Sequence, residues 1–395
     1  MSSSSFLLKN CTLFIDDKIT YNANLLIVHG KIHSIHEDDE LDIDVETWDM
    51  QGKYVFPGFV DIHVHGAHGQ TFNSSSVEIW EDIMLAHALA GSTTLLPTVM
   101  TDTKPNMLQA LAVGTDLNRQ GRVAGIHLEG PYLNFEQRGA HDAKDLLLPQ
   151  DDFIESLRDY FHAIKLVTLA PELEGMSSLI QTLHAHQIIV SAGHSVANAQ
   201  VIERSKQIGL SHFTHLWSGQ TLLTKHGPWR NLGLIDIALS SENMTAEMIA
   251  DGFHLPEELV KIAYRCLGKD RLCLISDASA GTGLPQESHF VMGSSEGIVK
   301  EGVALSVCGN SFCGSTSFLT DIFRFCVHKA GIPIAEAVQM ATSTPAKIIG
   351  IDHIVGRIEP GRNADLLIMN EDLTVYSVLQ QGVKVKEKIR SYDST

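Results

Sequence analysis

The chain's 395 residues suffice for one large domain plus a small one, and a 44% share of hydrophobic residues supplies an ordinary buried core. Its 29 basic residues against 47 acidic ones leave a net charge of −18, which repels nucleic acid and anionic membranes at long range. An anionic substrate therefore needs a cationic pocket built locally against that field.

The opening Met1-Ser2-Ser3-Ser4-Ser5 has no basic segment leading into an apolar run, and no stretch of about 18 uninterrupted apolar residues occurs. Neither a signal peptide nor a membrane span is expected. Six cysteines without paired CxxC spacing read as reduced thiols of a cytoplasmic protein. Residues 11–15, 24–28 and 31–35 alternate apolar and polar side chains, with Gly30 as a turn, as short strands do. The tail is similar, with a strand at 364–369 and a turn at Gly382 before 383–385. Pieces of both ends predict one small β-sandwich-like domain, residues 1–56 plus 355–395.

Between these ends, over 57–354, short apolar strands alternate with helical patterns. Strands are expected at 60–64, 93–98, 123–128, 164–169, 188–192, 210–214, 245–250 and 272–276, with helices such as 77–90, 105–119, 196–208 and 256–267 between them. Such alternation predicts an α/β fold, a closed parallel (β/α)8 TIM-like barrel. A doubly wound open sheet is the competitor, but no GxGxxG follows any strand.

Sites in such barrels gather at the C-terminal ends of the strands. Twenty histidines are many for this length, and metal-type residues collect at those ends. The first strand ends His63-Val64-His65, whose alternate side chains point to the same side. Glu129 follows the third strand, His194 the fifth, His215 the sixth and Asp277 the eighth. One histidine at a strand end is commonly a surface or core residue; the ordered set at five ends of one barrel is not readily chance. Imidazole and carboxylate without thiolate suit a divalent ion, zinc first, with iron, manganese or cobalt as alternatives. Such an ion lowers the pKa of a bound water to about 7 and polarises a carbonyl. Asp277, the carboxylate left over, would take a proton from the attacking water and return it to the leaving amine. Its plainer reading is a structural aspartate capping the next loop.

At these residues the sequence resembles the amidohydrolase superfamily and, within it, the N-acetylglucosamine-6-phosphate deacetylases. The likeness is carried by PGFVDIHVHG at 57–66, HLEGPYLN at 127–134, TLAPE at 168–172, SAGHS at 191–195, THL at 214–216, ADGFH at 250–254, SDA at 276–278 and GRIEPGRNADL at 356–366, and it spans roughly residues 7 to 385. The resemblance implies metal ligands at Glu129, His194 and His215, with His63 and His65 available for a second ion, so one or two ions per subunit. It implies that His254 contacts the substrate near its N-acetyl group, and that His141 and Arg230 hold the phosphate. Arg230 would come from the neighbouring subunit of a homodimer. The implied reaction hydrolyses the N-acetyl amide of N-acetylglucosamine 6-phosphate to glucosamine 6-phosphate and acetate, with no nucleic-acid or membrane partner.

Two stretches depart from the family pattern. The usual Thr-His-aliphatic-aromatic-Asn-Ala-Met is here Thr214-His215-Leu216-Trp217-Ser218-Gly219-Gln220, and Arg-x-Pro-Gly is Arg230-Asn231-Leu232-Gly233. The backbone N–H groups of Ser218 and Gly219 are expected to serve the phosphate in place of the missing asparagine. Both changes lie on the substrate side and leave the identity of the sugar phosphate open.

Gly281 and Gly283 mark either a mobile loop over the site or simple turns. Trp217 and Trp229 wall the sugar pocket, or lie in the core or a dimer interface. Cys308 and Cys313 carry no expected metal role. Competing readings are a deacetylase of an isomeric N-acetylhexosamine phosphate, a cyclic-amide hydrolase, and a metal-free binding protein. No lysine stands near the end of the fourth strand, where cyclic-amide relatives carry a carbamylated one, and the metal-type residues are all present.

Overall fold

The structure, a computed structural model, describes residues 5–15, 18–37 and 44–385. Residues 1–4, 16–17, 38–43 and 386–395 of the expected terminal domain lie outside the described residues.

Eight strands run parallel in one sheet: Phe59–Val64, Ser92–Met100, Ile126–Glu129, Ile164–Leu169, Ile189–Ala192, Leu210–Phe213, Thr245–Met248 and Leu272–Leu274, each paired with the next. These are the eight expected strands, with ends that agree or shift by at most three residues. Most are buried along their length, because helices cover the outer face and side chains fill the interior. The seam between the first and eighth strands is closed by individual bonds. Asp277 N donates to His63 O at 2.9 Å, and Ser276 N to the buried Asp61 carboxylate at 3.2 Å. Burial pushes the Asp61 carboxyl up to about 7, well above the usual carboxylate range.

The helices begin where the sequence supplies caps. Ser76 accepts from Ile79 N ahead of Val77–Leu89, Thr103 from Asn106 N ahead of Lys104–Arg119, and Asn198 from Val201 N ahead of Ala199–Gln207. Pro105 sits in the first turn of the second of these, where its missing N–H costs nothing.

Both chain ends build a second eight-stranded sheet. Tyr54–Pro57 lies at its middle, parallel to Phe6–Ile15 on one side and antiparallel to Leu366–Met369 on the other. The inner face buries Leu8, Leu13, Leu25, Ile27, Val55, Leu366 and Ile368 as a separate cluster. Tyr54–Pro57 runs almost directly into the first barrel strand, so this sheet fixes where the barrel starts.

Two excursions were not expected from the sequence. A three-stranded sheet, His289–Met292, Ser295–Lys300 and Val303–Ser306, follows the eighth strand and packs Phe290, Met292 and Val299 onto Met100 and Ala280 at the barrel mouth. A hairpin of Thr224–His226 and Trp229–Asn231 follows the sixth strand, with every residue of both strands exposed. Among the described residues no helix is long and apolar enough to cross a membrane.

Candidate metal centre and its surroundings

Glu129 stands at the centre of the mouth, at the end of the third strand and 2% exposed. Its Oε1 lies 2.9 Å from His215 Nε2 and 3.0 Å from His194 Nε2. Its Oε2 faces His65 Nε2 at 3.4 Å and His141 Nε2 at 3.3 Å. His63 Nε2 is 3.2 Å from His65 Nε2, and Asp277 Oδ1 lies 3.1 Å from His65 and 3.5 Å from His63. The side chains of His63, His65, Glu129, His194, His215 and Asp277 therefore converge, and His141 joins them.

Among the described residues three overlapping sets place their ligand atoms within 4.8 Å of one another: His63, Glu129 and His215; His63, His65 and Asp277; Glu129, His141 and His194. Among the described residues no lysine or arginine is an ion-pair partner of Glu129 or Asp277. Buried carboxylates are costly without a cation. These are oxygen and imidazole donors with several ring nitrogens aimed at one point, a donor set that fits a divalent transition ion.

Electrostatics shows the same tension. Burial pushes the Glu129 carboxyl up, but the imidazoles of His63 and His141 outweigh it and hold the group well below the carboxylate range. Asp277 is likewise raised by burial, then lowered beneath its ordinary value by His63 and His65. Burial takes His141 down to about 4, so it is a neutral imidazole at neutral pH and offers a hydrogen bond rather than a charge. Its Nδ1 is buried without a hydrogen-bond partner.

The loops at the strand ends hold this geometry. His194 (φ 48°) and Asp277 (φ 46°) have left-handed backbones, which cost non-glycine residues about 1–3 kcal/mol each and mark sites fixed by their surroundings. Gly130, directly after Glu129, has φ 83°, and a Cβ there would overlap the Thr101 hydroxyl that donates to Glu129 O. His194 Nδ1 meets Gln137 O at 2.8 Å, which leaves Nε2 for Glu129. Glu172 ties three loops together, accepting from Asn134 Nδ2 (3.0 Å), Ser195 Oγ (2.6 Å) and Val196 N (2.8 Å). Below the centre, His127 bonds Thr98 and Thr168, and Thr168 continues through Thr214 to Ser191, a polar belt inside the barrel.

The residues expected on the substrate side are more scattered. His254 follows the seventh strand, held by Asp251 through Nδ1 (2.8 Å) and its own N–H (2.8 Å), with its ring 4.4 Å from that of Phe312. His141 is buried beside Glu129, whereas Arg230 stands on the exposed hairpin and donates to Pro228 O. The structure does not bring these two together within one chain. Ser218 N already donates to His215 O at 3.1 Å, so its N–H is not open to a phosphate as expected. Gly219 packs so closely that a Cβ would lie 2.5 Å from His194 Nδ1. Trp217 packs against the core, Trp229 is 73% exposed, and Gly281 and Gly283 lie in tight turns, Gly283 packed against His68.

The sequence reading missed Glu172 as a clamp and the buried pair Glu247 and His212. Glu247 did leave a signal, being a lone carboxylate inside a four-residue barrel strand whose last three residues are buried.

The amidohydrolase family model matches residues 54–386. An N-acetylgalactosamine-6-phosphate deacetylase of a Shewanella species is 34% identical over 331 residues, covering 82% of this chain and 81% of that one. An N-acetylglucosamine-6-phosphate deacetylase of Haemophilus influenzae is 28% identical over 95% of this chain and 98% of its own. The crystal structure of the N-acetylglucosamine-6-phosphate deacetylase from Pasteurella multocida superposes with a TM-score of 0.89 at 28% identity, over 96% of this chain and 98% of that one. With a barrel closed around this cluster and a family match over most of its length, the chain belongs to the amidohydrolase family.

Proposed function

We propose that the protein hydrolyses the N-acetyl amide of N-acetylglucosamine 6-phosphate, releasing acetate and glucosamine 6-phosphate. The observation that carries the chemistry is the Glu129 carboxylate, shared by His194 and His215 on one oxygen and facing His65 and His141 on the other, with Asp277 beside it. Glu129, His194 and His215 would hold one ion, and His63 and His65 a second, with zinc the first expectation. A bound divalent ion supplies Lewis acidity and a water of lowered pKa. Asp277, held as a carboxylate by its histidines, accepts the proton of the attacking water and delivers it to the departing nitrogen. Neutral His141 donates to a substrate oxygen, and His254, fixed by Asp251, orients the sugar near its N-acetyl group.

The phosphate needs a cation against the chain's −18, and Arg230 supplies a fork suited to phosphate oxygens. Its exposed hairpin carries Trp229, and Leu222, Leu223 and Leu232 beside it are also exposed. We place this patch against a second copy, so that Arg230 reaches the neighbour's site in a cytoplasmic homodimer. The gene product is read as a barrel of 57–354 with a terminal domain of 1–56 and 355–395.

A second reading keeps the chemistry and inverts one sugar carbon. It is favoured by the Shewanella relative, which is named for N-acetylgalactosamine 6-phosphate. Acetate release from both 6-phosphates and from the unphosphorylated sugars decides. The proposal expects N-acetylglucosamine 6-phosphate to be turned over with the highest kcat/KM. Preference for the other epimer supports the second reading, and no acetate from any of them rejects both.

A further inference from the structure

Glu247 lies inside the barrel on the seventh strand, Thr245–Met248, with no exposure at all. The barrel interior around it holds apolar and hydroxyl side chains together with the imidazoles of His63, His127 and His212, and a carboxylate at this depth must be compensated. Its two oxygens divide their work. Oε2 lies 2.9 Å from His63 Nδ1 and accepts the backbone N–H of His215 at 3.2 Å. Oε1 lies 3.2 Å from His212 Nε2, and His212 Nδ1 meets Thr245 Oγ1 at 2.6 Å. Glu247 thus touches residues from the first and sixth strands at once, while not facing the mouth itself.

We propose that Glu247 is a positioning residue for the metal centre, fixing His63 so that Nε2 alone is presented to the ion and holding the backbone of His215 beside it. The argument is one of tautomers. An ionised carboxylate only accepts, so the proton of a neutral His63 is drawn to Nδ1 and the lone pair is left on Nε2. That nitrogen is the one aimed at His65 Nε2 (3.2 Å), Glu129 Oε1 (3.5 Å) and Asp277 Oδ1 (3.5 Å). His212 completes the arrangement by donating to the second oxygen, which keeps the carboxylate from turning away from His63. A carboxylate behind a ligating imidazole also raises its basicity toward the metal. The loss of such a partner commonly weakens metal affinity about 10–100-fold.

The inference rests on the metal reading above, and one experiment separates the two. Metal-free wild type, Glu247→Ala and Glu247→Gln are titrated with Zn²⁺ against a chromophoric chelator, with circular dichroism as the check of folding. The wild type should bind Zn²⁺, and Glu247→Ala should raise its dissociation constant about 10–100-fold. Glu247→Gln should fall between them, because its amide oxygen still accepts from His63 while the charge is gone. If Glu247→Ala does not fold, Glu247→Gln carries the test. A folded variant with wild-type Zn²⁺ affinity, even one with lowered thermal stability, overturns the positioning role and leaves the metal reading standing. A wild type that binds no Zn²⁺ overturns both.

Discussion

His65 and Asp277 meet at 3.1 Å across the seam where the first barrel strand lies beside the eighth. The contact sets a carboxylate next to the imidazoles that hold it ionised, which suits an acceptor of protons. Asp277→Asn should keep the fold and bound metal but lower kcat by at least about 10²-fold, the low end of general acid–base contributions. Steady-state acetate release together with metal analysis checks this. Unchanged turnover removes Asp277 from the reaction.

Among the described residues Arg230 has no ion-pair partner, and its guanidinium donates to Pro228 O. Arg230→Ala should raise KM for the phosphorylated sugar at least about tenfold, the effect of losing a charge-assisted pair of about 1.5–3 kcal/mol. KM for the unphosphorylated analogue should barely move. Mixing Arg230→Ala with Asp277→Asn should restore part of the activity if the arginine acts in the neighbour's site. Equal effects on both sugars, or full activity in a dilute monomer, would sink the arrangement.

Gly130 follows Glu129 with a left-handed backbone, and its missing Cβ leaves room for the Thr101 hydroxyl. Gly130→Ala should cost about 1–3 kcal/mol in backbone strain, beyond the steric overlap. Because Thr101 donates to Glu129 O, the displacement should also loosen metal retention. Thermal unfolding and metal content measured on the same preparation test both effects. Wild-type values for each would show that the loop accommodates a side chain.

His87, on Val77–Leu89, is fully buried and donates through Nε2 to Gly66 O at 3.0 Å. Burial takes it down to about 4 from an ordinary value of 6.5. The folded state therefore resists protonation that the unfolded chain accepts. Its contribution is fully present above pH 6.5 and is lost as the pH falls toward about 4. At about 1.4 kcal/mol per pKa unit this amounts to roughly 3 kcal/mol. His87→Gln, which keeps a donor but cannot titrate, should flatten the fall of unfolding free energy between those two pH values. Parallel curves for the two proteins would assign the acid sensitivity elsewhere.

The barrel was legible because its strands are apolar and bounded by turns, and because the helices between them carry recognisable caps. The centre was legible for a related reason: His63, His65, Glu129, His194, His215 and Asp277 each sit where a strand ends, a place readable from sequence. What escaped depends on pairing across the fold. Glu247 and His212 are polar residues inside short strands, and nothing local shows that they face one another or His63. The sheet over 289–306 was hidden because Phe290, Val291 and Met292 are all apolar while Val291 is exposed, so the alternation of its faces leaves no trace in hydropathy. Arg230 was read by resemblance as a phosphate ligand supplied to a neighbouring subunit, and within its own chain it stands on an exposed hairpin.

The central place of Tyr54–Pro57 in the terminal sheet has a consequence for the order in which the molecule is made. This strand leads into the one that bears His63 and His65, and Gly58 N, the amide just before that strand, donates to Asp365 O at 2.8 Å. Its antiparallel partner, Leu366–Met369, leaves the ribosome only after every barrel strand has been synthesised. Until then the lead-in to the barrel presents an open edge, and such edges recruit stray strands. A nascent chain interrupted before that partner would hold all the candidate ligands and lack the brace that sets the first pair of them.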